Sequence, residues 1–352
     1  MKYLWLLSVI FLFGCSKQEV KKQSTDFEEL MGKNLPAWSY VKTKEDHENL
    51  NFFKSLYDKN VLLMALNSEN VHVPKVLHFI WVGPKPFPAE STKNIRSWIA
   101  HNPDWKVKFW TDRERPLPDE HMELCRVQDF HFLKLAQCYK KSENYGEKSD
   151  LLRYEILYQE GGVYADHDVE CVKSFDVLNN TYDMYIGMQM PDTTFLSSSV
   201  VPTNNLIGIK AGHPVMKRCL DVIAENWDRI EEQYPGSDRD SMISRVAHRT
   251  FVVLGESVQQ VGAQGGSRDI VFPAFYFNAP KGTPAIFSRH QFKGTWFENE
   301  TLFEQSVRKR LVTITKKTNK LLLFFGVMTF INVAGFSFLL LKYRKNRRDR
   351  SC

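Results

Sequence analysis

Cysteine is scarce in this chain of 352 residues, and it is badly spaced for metal: the six cysteines, at positions 15, 125, 138, 171, 219 and 352, include no CxxC pair. That spacing speaks against a zinc site, whose ligands recur at short fixed intervals. Cys125 and Cys138 could pair in an oxidising compartment, but in a chain long enough to bury a sizeable core, free and mostly buried thiols are the simpler expectation. Internal repeats and low-complexity stretches are also missing, which removes repeat architectures. A basic face is missing as well. The net charge is +6, but residues 342–352 (KYRKNRRDRSC) hold six basic residues against one aspartate, so the rest of the chain is close to neutral. Nucleic-acid binding needs positive charge spread over a folded face, so no nucleic acid is expected as a partner.

What is present begins with two apolar ends. Residues 1–15 (MKYLWLLSVIFLFGC) have a lysine, a short apolar run and a small residue before Cys15, and they read as a signal peptide or a lipoprotein signal. Residues 16–70 read as a polar tether leading into helices. Residues 321–341 (LLLFFGVMTFINVAGFSFLLL) are apolar apart from Asn332; as a helix they would be about 31 Å long, the thickness of a bilayer core. A single transmembrane helix is therefore expected there, with a basic juxtamembrane segment at 301–320 and a basic tail at 342–352. Basic clusters flank it on both sides, so charge does not fix its orientation.

Between these ends lies an α/β pattern. KVLHFIWVG (75–83) is a buried strand closed by Gly-Pro, a helix follows near Lys93–His101, and WKVKFW (105–110) is a second strand. Strand, helix, strand at this spacing implies a parallel sheet. EKSDLLRYEILYQEGG predicts an amphipathic helix, with Leu151, Tyr154 and Tyr158 on one face and a left-handed cap at Gly161 or Gly162. Asp150 and Arg153, three apart, share a face of it.

GGVYADHDVE (161–170) then places Asp166 and Asp168 at the carboxyl end of a strand, where alternation would point both to the same side. Open α/β sheets bind ligands beyond those ends. Two converging carboxylates repel unless a cation lies between them, and a hard divalent ion, Mn²⁺ or Mg²⁺, suits oxygen ligands and brings a diphosphate with it.

The ordered blocks KVLHFIWVGP (75–84), NPDWKVKFWTD (102–112), KSDLLRYEILYQEGGVYADHDVE (148–170), NNLIGIKAGHP (204–214) and RHQFKGTW (289–296) resemble the DXD-containing sugar transferases. This group, glycosyltransferase family 32 in type, includes the fungal initiating mannosyltransferase, the inositol-phosphorylceramide mannosyltransferases and, distantly, the clostridial glucosylating toxins. The resemblance covers about residues 71–300, the expected catalytic domain, and implies a GT-A-type mixed, mostly parallel sheet flanked by helices.

It also implies roles. Asp168 would be the direct metal ligand, with Asp166 holding the ribose and the ion's water shell. Asp150 and Arg153 would contact the donor sugar and its phosphates, Trp81 would stack on the nucleotide base, and Asn204 or its neighbour Asn205 would reach the transferred sugar. His290 and Trp296 would belong to a late loop over the diphosphate, with His290 a further metal or phosphate contact. Two features depart from the pattern: VVLGESV (252–258) stands where a T-G-P loop is common, and His167 sits between the aspartates.

The expected function is a membrane-anchored retaining transferase that moves a hexose, mannose or glucose, from a nucleotide sugar to a lipid, glycan or protein acceptor. An inositol-phosphoceramide-like glycolipid leads among those acceptors. The alternative is an inactive carbohydrate-binding or adaptor protein on the same fold. The catalytic domain is expected on the non-cytoplasmic side, where Asn179 (NNT) and Asn299 (NET) would be glycosylation acceptors.

Overall fold

The computed structural model describes residues 25–66, 68–192, 196–262 and 267–294, and beyond them only positions 314, 317, 318, 320–325 and 329. Two compact units divide the chain, Met1–Lys293 and Gly294–Cys352. In the second, the described residues 320–325 are helical. No helix among the described residues is long and apolar enough to cross a membrane. Most of the expected span at 321–341 lies outside them, as do the signal at 1–15, Trp296, Asn299 and the basic tail.

The first unit holds strands β1 (Val76–Ile80), β2 (Lys106–Thr111), β3 (Met122–Arg126), β4 (Gly162–Ala165), β5 (Val169–Cys171), β6 (Met184–Met188), β7 (Pro202–Ile209), β8 (Asp269–Phe272) and β9 (Ser288–His290). Seven of them form one sheet in the order β3-β2-β1-β4-β7-β6-β8, and β5 pairs with β9 in a small second sheet. Within the large sheet β7 runs antiparallel to both neighbours, β4 and β6, and the other pairings are parallel. The expected mixed, mostly parallel sheet is thus what forms. Its reversal has one consequence for function: the amino end of β7 meets the carboxyl end of β4, Ala165 opposite Leu206.

The helices are α1 (Phe27–Leu30), α2 (Lys44–Asn60), α3 (Thr92–His101), α4 (Ala136–Lys141), α5 (Tyr145–Glu160), α6 (Asp176–Thr181), α7 (Pro214–Gln233), α8 (Arg239–Val246) and α9 (Val252–Val261). Helix α2, in the stretch read as tether and helices, starts at a Thr43–Asp46 capping box and packs on β8 through buried Phe53, Leu56 and Tyr57. It belongs to the main core.

Three expectations need correction. Helix α5 is not amphipathic: residues 151–157 are buried in an unbroken run, because the helix passes through the core beside α7. Its cap is not left-handed helical either. Gly161 has φ 64° and ψ −157°, and Gly162 has φ 97° with no room for a Cβ, which would lie 2.5 Å from the Val76 carbonyl. Finally, Asn179 is fully buried, donating to the Pro74 carbonyl (3.2 Å) and accepting from Tyr185 Oη (2.6 Å), so it is closed to glycosylation in the folded chain. The VVLGESV segment is helix α9, not a loop, and Gly255 in it passes close to Pro202.

Candidate active site

Strand β4 stops at Ala165, and the chain turns through residues 166–168 before re-entering as β5. The turn is fixed by Asp166 N–H on the Asn205 carbonyl (2.8 Å) and by Val169 N–H on the Asp166 carbonyl (3.0 Å). The two aspartates therefore converge through a turn, which corrects the expected alternation along a strand. Strand β9 lies against β5 with His290 opposite Val169. As a result, one ligand atom each of Asp166, Asp168 and His290 falls within 4.8 Å of the others.

Asp168 is buried and well held. His290 Nε2 lies 3.2 Å from its Oδ1, the Lys293 N–H donates to its Oδ2 (2.8 Å), and the Gln291 N–H donates to its carbonyl (3.0 Å). Burial alone would raise its pKa; the bonds from His290 and Lys293 outweigh that and hold the carboxyl well below the usual range. His290 Nδ1 is buried without a protein partner. Phe292, between the two gripping amides, has a left-handed backbone (φ 50°) and an exposed ring, 52% accessible, 4.1 Å from the imidazole.

Asp166 and Asp150 meet at Arg153, whose side chain is only 4% exposed. Arg153 Nη2 lies 3.0 Å from Asp150 Oδ1, 3.1 Å from Asp166 Oδ1 and 2.8 Å from Tyr164 Oη, and Nη1 donates to the Asn204 carbonyl. Its guanidinium stacks on the Tyr164 ring at 3.8 Å, and Tyr164 Oη donates to Asp166 Oδ1 (2.6 Å). Burial opposes the charge on Arg153, but Tyr164, Asp150 and Asp166 overcome it and keep the group cationic. Nε is buried with no protein partner. Burial raises the Asp150 pKa, opposed by Arg153 and Thr250. The Asp150–Arg153 pair is thus buried rather than lying on the surface of the helix. The two DXD carboxylates are not left facing each other unaided, since Arg153 serves one and His290 the other.

Asn204 rather than Asn205 faces this site: its Nδ2 reaches Tyr154 Oη (3.4 Å), whereas Asn205 is bonded to Thr203 and to Asn278 (2.8 Å). Trp81 sits just beyond β1, half-buried, its Nε1–H on the Lys85 carbonyl (2.9 Å) and its ring edge-on to His167 (4.9 Å) and Phe87 (5.6 Å). His167 turns back into the fold, with Nδ1 2.8 Å from Ser91 Oγ, and burial lowers its pKa. It is not among the clustered side chains that could hold an ion. Sequence reasoning missed Tyr164, although it lies on β4 only two residues before Asp166. It also missed Gln291 and Lys293, although both lie in the RHQFKGTW block, and Thr250, which no local pattern marks.

Two carboxylates and one imidazole, with a buried ring nitrogen left unpaired, fit a hard or borderline divalent ion such as Mn²⁺ or Mg²⁺. Residues 88–185 match the family described as the glycosyltransferase sugar-binding region containing a DXD motif. Over those residues the chain is similar to this family. The DXD region spans Asp150, Arg153, Asp166 and Asp168, while Trp81, Asn204, Thr250 and His290 fall outside it.

Among curated proteins, the chain is 25% identical over 179 residues to subversion of eukaryotic traffic protein A of Legionella pneumophila, covering 45% of this chain and 26% of that one. It is 28% identical over 150 residues to inositol phosphoceramide mannosyltransferase 3 of Schizosaccharomyces pombe, covering 43% and 37%. The chain thus spans well under half the length of either. The solved catalytic domain of alpha-toxin from Clostridium novyi aligns over 83% of this chain and 94% of its own, at 11% identity and a TM-score of 0.46.

Proposed function

We propose that the protein is a glycosyltransferase that moves a hexose, mannose or glucose, from a nucleotide sugar to an acceptor with retention of anomeric configuration. One observation carries this: the Asp166, Asp168 and His290 cluster lies beside a buried arginine that has a spare N–H. Asp168, Asp166 and His290 would hold Mn²⁺ or Mg²⁺, which when bound supplies positive charge for the departing nucleoside diphosphate.

The remaining work falls to the chain's own side chains. Arg153 is fixed by Tyr164 and two carboxylates before any substrate arrives, so its charge needs little reorganisation to stabilise negative charge developing on the diphosphate. Its Nε is buried without a protein partner and would serve a phosphate oxygen that enters the site. Asp150 and Asn204 meet the transferred sugar, and the ring of Trp81 takes the base. Asp150 is tied by Arg153 and Thr250, and Asp166 by Arg153 and Tyr164. Neither is free to act as a covalent nucleophile, which favours displacement on the face of the leaving group.

The stretch 321–341 anchors the enzyme, with the catalytic unit on the non-cytoplasmic side, and a glycolipid such as an inositol-phosphoceramide is the acceptor. Similarity to the fission-yeast mannosyltransferase supports that choice. The test is nucleoside diphosphate release from GDP-mannose and UDP-glucose with and without Mn²⁺. Release that needs the ion and vanishes in Asp168→Asn is expected; no release from either donor would leave the inactive adaptor as the better account. Protease accessibility of the catalytic unit in intact membranes checks its side.

A further inference from the structure

Asp150 is gripped from a distant part of the chain. Between α8 and α9 the helix passes through a π turn, Ala247–Phe251, a geometry that shifts the backbone bonds by one residue and tends to occur at functional sites. Thr250 in this turn puts its hydroxyl 2.6 Å from Asp150 Oδ2 and 2.8 Å from the Val246 carbonyl. Arg153, on the same helix as Asp150, takes Oδ1. A carboxylate anchored at one oxygen still rotates broadly about its last torsion; an anchor on the second oxygen removes that freedom. The carbonyl of Thr250 accepts from Tyr154 Oη (2.7 Å), which in turn is reached by Asn204 Nδ2. One residue therefore ties together the two side chains assigned to the sugar. The turn itself is pinned from its other side by Arg249, buried on the Trp227 ring (3.9 Å) and paired with Glu147 (3.5 Å) and Glu231.

We infer that Thr250 is a positioning residue that fixes Asp150 in one orientation against the hexosyl group of the donor. This rests on the proposed transferase activity. Thr250→Val keeps the shape and the Arg249 anchor but removes the hydroxyl; Thr250→Ser keeps it. The three proteins are compared for Mn²⁺-dependent turnover of whichever of GDP-mannose or UDP-glucose the wild type hydrolyses, and for calorimetric affinity toward the matching nucleoside diphosphate.

Thr250→Val is expected to lower kcat by about tenfold or more, the worth of one hydrogen bond to a charged group, while binding the nucleoside diphosphate as the wild type does. Thr250→Ser is expected to recover most of the loss. A Thr250→Val kcat equal to wild type, a parallel loss of diphosphate affinity, or a Thr250→Ser no better than Thr250→Val overturns the positioning role and leaves the transferase assignment standing. A wild type that hydrolyses neither donor overturns both.

Discussion

Two groups of buried polar side chains in this protein differ in how completely they are satisfied. Asp46 lies at the start of α2, far in sequence from the DXD motif, and accepts five hydrogen bonds: from the N–H groups of Lys42, Thr43 and Ser199 and the hydroxyls of Ser198 and Ser199. His78, at the centre of β1, is equally complete. Its Nε2 bonds to the Gly161 carbonyl (3.0 Å) and its Nδ1 accepts from Trp110 Nε1 (3.2 Å), a set that suits only the neutral ring. At the carboxyl end of β4, by contrast, Arg153 Nε and His290 Nδ1 are buried with no protein partner. Buried atoms without a partner occur elsewhere as well, at Asn180 and Ser257 for example; what sets Arg153 and His290 apart is that theirs lie on side chains already bonded to Asp166 and Asp168.

That contrast breaks most sharply on activity. Asp166→Asn or Asp168→Asn should cut donor turnover by on the order of 10³-fold, because charge stabilisation at the leaving group is usually the largest catalytic contribution. Both variants should also melt lower, because each weakens the hold on a buried side chain, Arg153 for Asp166 and His290 for Asp168; turnover that falls only in proportion to the unfolded fraction would put the pair among the structural groups.

Next in size is acid sensitivity. Burial lowers the His78 pKa to about 4, so the folded protein keeps the ring neutral while an unfolded chain takes up a proton near pH 6.5. Between those values the unfolded state binds more protons, so stability is fully present above about 6.5 and lost as pH falls toward 4, by up to about 3 kcal/mol. Urea denaturation at pH 7 and pH 4.5 measures this, and His78→Gln should flatten the slope. The hydrogen bonds to Asp46 outweigh the effect of its burial and depress its carboxyl, so its contribution is lost in still stronger acid. Asp46→Ala should cost about 2–3 kcal/mol by leaving amide and hydroxyl donors unpaired, with kcat unchanged.

The smallest effect sharpens the comparison. Mn²⁺ at about ten times its dissociation constant should stabilise the wild type by about 1.4 kcal/mol in thermal melts, and Asp168→Asn should show no such gain.

Much of the sheet was legible locally. The runs at 75–83 and 105–110 became β1 and β2, and the D-x-D pair landed at the carboxyl end of β4. The misses share a cause. Helix α5 carries an apolar stripe that suggests one buried face, yet Arg153 and Glu155 are buried too: Glu155 accepts the amides of residues 133–135, and Arg153 holds the site. Sequence periodicity registers hydrophobicity and is blind to a charge that is buried because a distant partner neutralises it. Asn179 was misread for the same reason, since its partners at Pro74 and Tyr185 are supplied by packing.

By itself, the sequence determined the kind of chemistry: an acidic pair after a strand, an arginine one helix earlier, and glycines where only positive φ would do, all within about twenty residues and governed by short-range geometry. Only the tertiary structure decided which groups complete it. His290 arrives because β9 pairs with β5, Asn204 because β7 runs against β4, and Thr250 because a π turn faces Asp150 across a hundred residues of chain. Such contacts depend on how whole elements pack: the blocks around Asn204 and His290 marked those two only through the family resemblance, and nothing next to Thr250 in sequence marked it.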